Sequence, residues 1–112
     1  MNILRFASVG LIFNIAGAQL AVAAEWRFCI APSGQEYKVY MTKPFLAGAS
    51  MEPLERSFRQ LLYSWGLRHD SVQCPTGANE EAVRAMRQYA GEFNRQRGNE
   101  VVQIDWKSAA TR

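Results

Sequence analysis

The chain has 112 residues, of which 13 are Lys or Arg and 10 are Asp or Glu, so its net charge at pH 7 is +3. This length fits one small domain with a thin core. The near-neutral charge argues against nucleic acid as a partner, because nucleic-acid-binding surfaces concentrate Lys and Arg on one face.

The first 24 residues follow the order of a secretory signal peptide. Arg5 precedes an apolar stretch over residues 6–18, and small residues then occupy the positions that signal peptidase requires for a cut after Ala23 or Ala24. Removal of residues 1–24 leaves 88 residues with a net charge of +2. We therefore predict a periplasmic or secreted protein without stable membrane insertion after cleavage. The alternative is an uncleaved anchor, since residues 6–24 approach the roughly 20 that span a bilayer.

Two cysteines, Cys29 and Cys74, follow the leader. Exported chains of this size meet oxidising conditions in which disulfides form and persist. We predict one bridge, which closes a loop of about 45 residues and stabilises the fold by roughly 4 kcal/mol. A redox centre is disfavoured because Cys-x-x-Cys spacing is absent, and an intermolecular bridge is the remaining alternative.

Two alternating segments near the start of the mature chain predict a β-hairpin. Residues 25–30 and 37–42 each place apolar side chains at every second position, which is the period of a strand. Residues 31–34 supply Pro and Gly where a tight turn needs them.

Two segments with helical periodicity follow, over residues 52–65 and 79–97. Ser50 can cap the first, and Gly66 and Gly98 suit the two ends. Residues 101–106 return to a period of two, which predicts a third strand. The expected inner stripes are Leu54, Phe58, Leu61, Leu62 and Trp65 in the first helix, and Val83, Met86, Ala90 and Phe93 in the second.

These elements predict an α+β fold of order β-β-α-α-β, with a three-stranded sheet, or a four-stranded one, and two helices packed on one face. The disulfide is hard to reconcile with this arrangement. If Phe28 and Ile30 face the helices, Cys29 points to the opposite face of the sheet, whereas Cys74 lies in the segment between the two helices. We expect residues 72–74 to run as an edge segment beside the first strand. The alternatives are a bulge that re-aims Cys29, or helices that cover the Cys29 side.

Residues that could carry chemistry are sparse. His69, Asp70 and Ser71 are consecutive, whereas a catalytic triad is assembled from separated positions, so a polar turn is expected here. His69 is the only histidine, and no zinc-ligand or phosphate-binding glycine motif is present. We predict no enzyme activity, no metal and no cofactor. The alternative function is a hydrolase of envelope polymers that uses Glu36 and Asp105.

The expected function is therefore binding, to an unknown protein or envelope component. Tyr63 falls on the outer side of the first helix near Arg59 and Arg56, and Tyr and Arg are enriched where interfaces concentrate their energy. Phe45 and Leu46, in the predicted loop before that helix, form a second candidate surface if they stay exposed. A membrane-tethered accessory subunit that keeps its leader is a further alternative.

The second helix carries Arg84, Arg87 and Arg95 on its outer arc. These side chains are suited to an anionic partner, but acids within reach favour a solvated face whose charges pair with one another.

Overall fold

The computed structural model describes residues 23–48 and 50–106. All of the predicted leader except Ala23 and Ala24 lies outside the described residues, and its cleavage stays a prediction. The elements are β1 (Glu25–Arg27), β2 (Ile30–Ser33), β3 (Lys38–Thr42), β4 (Phe45–Ala47), α1 (Met51–Ser64), β5 (Thr76–Gly77), α2 (Glu80–Gln96) and β6 (Glu100–Ile104). The α+β class and the broad chain order are confirmed.

The predicted hairpin is present, but both of its arms are interrupted. β2 pairs with β3, and β1 pairs with β4, all antiparallel. Between these two ladders residues 28–29 lie opposite residues 42–44, so the second arm holds one residue more, as in a β-bulge. Cys29 N donates to Thr42 Oγ1 at 2.9 Å, and Thr42 N donates to Cys29 O at 3.0 Å. The interruption therefore keeps these polar groups paired.

The turn of the hairpin comes later than residues 31–34. Pro32 continues the ladder opposite Val39, and β2 ends only at Ser33. The turn occupies residues 34–37, and Tyr37 adopts a φ of 54°. The prediction was wrong by about three residues because a Pro that needs no ladder hydrogen bond is compatible with the strand.

Two further strands flank the hairpin. β5 pairs antiparallel with β1, and β6 pairs parallel with β3. Ile30 N donates to Gln73 O at 2.8 Å and Gln73 N donates to Ile30 O at 3.0 Å, so residues 73–77 follow the first arm along its outer edge. The edge segment is thus confirmed, and it accompanies a bulge instead of replacing one. The strand orders are β4-β1-β5 and β2-β3-β6.

α1 and α2 lie on opposite faces of the strands, not on the one face that was predicted. Alternate strand residues are apolar on both sides, so each side forms its own core and needs its own helix. The α1 side includes Cys29, Ala31, Tyr40, Leu54, Phe58, Leu62 and Ile104. The α2 side includes Phe28, Ile30, Val39, Met41, Val83, Met86 and Val101. Cys29 and Phe28 therefore each face a helix.

Both helices begin and end close to the predicted positions. Ser50 occupies the N-cap of α1 without a side-chain hydrogen bond, whereas Asn79 Oδ1 accepts from Ala82 N at 2.8 Å. Each helix is followed by a glycine with positive φ, 69° at Gly66 and 88° at Gly98, as left-handed C-terminal caps require. The last residue of each expected inner stripe, Trp65 and Phe93, is exposed instead.

The disulfide between Cys29 and Cys74 is confirmed, and both side chains are fully buried. Two further contacts hold Cys74. Its carbonyl accepts from Arg27 Nη1 at 3.2 Å, and its amide donates to Glu55 Oε2 at 3.1 Å. The bond thus joins the interrupted strand to the segment between the helices, next to the first turns of α1.

Removing the disulfide should weaken the fold strongly. The double variant Cys29→Ala/Cys74→Ala should lower the free energy of unfolding by about 4 kcal/mol, since the unfolded chain regains the freedom of a long loop. Urea denaturation measures this loss. Thiol alkylation of the native protein should find no free thiol before reduction and two after it, and free thiols in the exported protein would contradict the bridge.

Two glycines should respond in opposite directions to the same substitution. A Cβ at Gly77 would lie 2.7 Å from Val83 Cγ2, a stiff and fully buried atom, so Gly77→Ala should cost about 1–3 kcal/mol. A Cβ at Gly91 would lie 3.4 Å from its nearest neighbour, Arg95 Nη1, so Gly91→Ala should stabilise α2 by up to about 1 kcal/mol. Urea denaturation measures both changes in the free energy of unfolding. Changes of the same sign in the two variants would contradict this packing.

Candidate partner-binding site

The outer side of α1 carries a polar stripe that ends in an aromatic side chain. Glu52, Arg56, Arg59 and Tyr63 follow one another at intervals of four, three and four residues, opposite the buried side of the helix. Arg56 pairs with Glu52 at 3.5 Å, and Arg59 has no ion pair within the described part of the chain. Tyr63 is 83% exposed. The three residues predicted to bind a partner on this helix therefore share one accessible face.

Tyr63 also borders a groove, which we call the Tyr63 groove. It lies between the hairpin turn and the loop that follows α1, and its volume is about 520 Å³. Its lining residues are Ser33, Gln35, Tyr63, Gly66, Leu67, Arg68, His69 and Asp70. An aromatic ring, an aliphatic side chain and several polar groups thus converge on one concave surface, as is typical of binding sites.

Hydrogen bonds between the two walls fix the width of the Tyr63 groove. Asp70 Oδ2 accepts from Gly34 N at 2.9 Å, and Asp70 N donates to Pro32 O at 2.8 Å. Arg68 Nη1 donates to Gln35 Oε1 at 3.0 Å. Because backbone atoms take part in the first two bonds, the walls are positioned without a ligand.

The C-terminal cap of α1 fixes the end of the groove beside Tyr63. Leu67 N donates to Leu62 O at 2.9 Å, and Gly66 N donates to Tyr63 O at 3.0 Å, which is the Schellman arrangement. Trp65, at the C-cap, leaves the buried stripe and is 53% exposed. Sequence reasoning missed Trp65 as a surface residue, although Gly66 already marked the end of the helix.

Phe45 does not belong to an exposed surface, and this part of the predicted site is corrected. Its side chain is only 7% exposed and meets Trp106 edge to face, with ring centroids 6.0 Å apart. Residues 45–47 form β4 instead of a loop, and the extra residue in the bulge turns Phe45 toward the α1 core. Leu46 points away from that core and is exposed.

His69, Asp70 and Ser71 form no catalytic triad in the structure. His69 Nδ1 lies 3.0 Å from Leu67 O, and the Asp70 carboxylate holds the hairpin turn. Ser71 is exposed. Among residues 23–48 and 50–106, no three His, Cys, Asp or Glu side chains come together in a group that could hold a metal ion.

Glu36 and Asp105 do not form a catalytic pair either. β3 and β6 run parallel in register from Lys38 opposite Glu100 to Thr42 opposite Ile104. Glu36 precedes one end of this ladder and Asp105 follows the other, so their backbones are separated by roughly 13 Å or more at about 3.3 Å per residue. Glycosidase carboxylates lie about 5–10 Å apart. The structure thus does not bring these two acids together, and the hydrolase alternative stays a prediction.

Within the described residues, neither helix has both the length and the apolar composition needed to cross a bilayer. Comparison of the chain with protein-family models, with curated proteins and with solved structures finds no match. Function is therefore inferred from the chemistry of the surface residues.

Proposed function

We propose that this protein is an exported, non-catalytic binding domain that contacts a protein partner through the Tyr63 groove. The observation that carries the proposal is the exposed ring of Tyr63 at the rim of a groove whose walls are hydrogen-bonded to each other. A pre-positioned site loses little conformational entropy on binding, which favours affinity.

The residue types at the site suit a protein interface. Tyr and Trp bury a large, rigid surface at the cost of few rotatable bonds, and they dominate binding energy at interfaces. Tyr63 and Trp65 expose such surface within one turn of each other. Leu67 adds an aliphatic contact inside the groove, so an apolar side chain of the partner can be enclosed there.

The charges around the groove indicate which residues of the partner surround its apolar side chain. Arg59 has no acidic partner in the described part of the chain, and Arg68 lines the groove with only an amide bonded to it. Asp70 directs one carboxylate oxygen to the backbone of the hairpin turn. The proposed partner surface therefore carries Asp or Glu side chains beside an apolar anchor, since complementary charge speeds and orients association.

The leader and the cysteines together support export. Disulfides such as Cys29–Cys74 persist in oxidising compartments, and the leader has the order of a secretory signal. We propose that the protein acts in the periplasm or outside the cell, where the Tyr63 groove contacts its protein partner.

Tyr63 should matter for binding and not for folding. Tyr63→Ala should change the free energy of unfolding by less than about 0.5 kcal/mol, because the ring is exposed. Phe58→Ala should cost about 3–5 kcal/mol, because Phe58 is fully buried beside Trp106. Urea denaturation of both variants checks this contrast. A similar loss of unfolding free energy in both variants would show that Tyr63 belongs to the core.

Partner capture tests the surface itself. A photo-reactive phenylalanine analogue in place of Trp65 should yield a discrete cross-linked species in intact cells, identified by mass spectrometry. Adding Tyr63→Ala should weaken binding by about 2 kcal/mol or more and lower the yield. Tyr89→Ala is the matched control, since it removes another exposed tyrosine from α2. Unchanged capture with Tyr63→Ala would refute the proposed surface.

The mass of the mature protein tests export. Protein from the envelope fraction should begin at Ala24 or Glu25, as intact-mass measurement can show. A species that retains Met1 in the membrane fraction would favour the tethered subunit, and one that retains Met1 in the cytosol would contradict export.

A further inference from the structure

A second concave surface lies on the other face of the sheet, between α2 and the ends of β3 and β6. We call it the basic cavity. Its volume is about 440 Å³, and it is lined by Lys43, Arg84, Arg87 and Arg95 together with Gly91 and Gln103. No Asp or Glu is among the residues that line it.

The spacing along α2 explains why these cations meet. Arg84, Arg87, Gly91 and Arg95 are separated by three, four and four residues, so they share one side of the helix. Gly91 is buried and has no side chain, which leaves room between Arg87 and Arg95. Arg95 Nη1 would lie only 3.4 Å from a Cβ at Gly91, so its guanidinium folds back over this glycine.

Most of this charge is not neutralised by the protein. Arg84 is bound to Glu80, as the sequence led us to expect of the whole face. Within residues 23–48 and 50–106, however, Lys43, Arg87 and Arg95 make no ion pair. Three like charges around one cavity attract anions, because low-dielectric walls concentrate their field.

Arg87 is the fixed member of the group. Its Nε donates to Thr42 O at 2.6 Å, and its Nη2 donates to Gln103 Oε1 at 3.1 Å. A guanidinium has five N–H groups, so three remain for a ligand. Burial lowers the pKa of Arg87 below its ordinary value, and the positive charge of Arg95 lowers it further. An anion between the two side chains would offset the repulsion between them.

We propose that the basic cavity binds a phosphomonoester group, carried either by a small soluble molecule or by the head group of a phospholipid such as phosphatidic acid. A phosphomonoester carries close to two negative charges at pH 7, which suits several unpaired cations better than a single carboxylate does. Guanidinium groups bind phosphate oxygens through paired N–H donors. This proposal is independent of the Tyr63 groove and stands or falls separately from it.

The test uses a charge-removal variant and a matched control. Arg95→Gln/Lys43→Gln removes two exposed cations from the cavity and leaves Arg87, which holds Thr42 and Gln103, in place. Arg97→Gln/Lys38→Gln removes one exposed and one half-buried cation that line neither the basic cavity nor the Tyr63 groove. Both double variants have the same net charge, so a nonspecific effect of charge is the same in both. Circular dichroism confirms that each is folded.

Two probes distinguish the sources of phosphate. Glycerol 1-phosphate is titrated in a calorimeter at low salt, and sedimentation measures binding to vesicles of phosphatidylcholine with one-third phosphatidic acid, whose head group is also a phosphomonoester. We expect binding to at least one probe, weakened about tenfold or more by Arg95→Gln/Lys43→Gln and less than twofold by the control. Glycerol phosphate alone would identify a soluble ligand, and vesicles alone a lipid surface. Binding to neither, equal loss in both variants, or acetate binding as tightly as glycerol phosphate would overturn the proposal.

Discussion

The Cys29–Cys74 bond is the contact on which the rest of the structure depends. Cys29 lies at the interruption of the hairpin, where both its amide and its carbonyl are bonded to Thr42. Cys74 is bonded through its amide to Glu55 and through its carbonyl to Arg27. One covalent bond therefore fixes the interruption of the hairpin, the edge segment and the start of α1 relative to one another. In a domain this small, the hydrophobic core alone provides little stability, so such a constraint has a large effect.

The same bond contributes to the Tyr63 groove. The loop that forms one wall begins at the glycine cap of α1 and ends near Cys74, so it is held at both ends. Asp70 then ties its middle to the hairpin turn. Loops that are fixed in this way can present side chains in a constant geometry, which a binding site requires. The disulfide thus acts on the proposed function indirectly, by limiting the freedom of the groove wall.

Periodicity predicted the helices well because each has a clear buried side and strong end signals, such as Gly66 and Gly98. It did not predict that the helices lie on opposite faces. Val39 and Tyr40 are both buried, as are Cys29 and Phe28, so the strands are apolar on both sides and a period of two does not reveal which side is covered. Phe45 was misplaced for a different reason: it was expected in a loop, whereas Phe45–Ala47 form β4 and pair with β1 beyond the bulge.

Exposure alone does not identify a binding surface in this protein. Each face of the sheet supports only a narrow core, so both helices leave aromatic rings outside it, including Tyr63 on α1 and Tyr89 on α2. The surroundings of the two tyrosines differ. Tyr89 stacks on Phe93 with ring centroids 6.5 Å apart, and Arg97 Cζ lies 5.0 Å from the centroid of the Phe93 ring. These three side chains therefore pack against one another. Tyr89 also borders a cavity, of about 530 Å³, which it lines with Phe28 and Met86. Tyr63 has no such ring partner among the described residues, and the walls of the groove it borders are hydrogen-bonded to each other. That difference in surroundings, more than the exposed area, is the reason to place partner binding on α1.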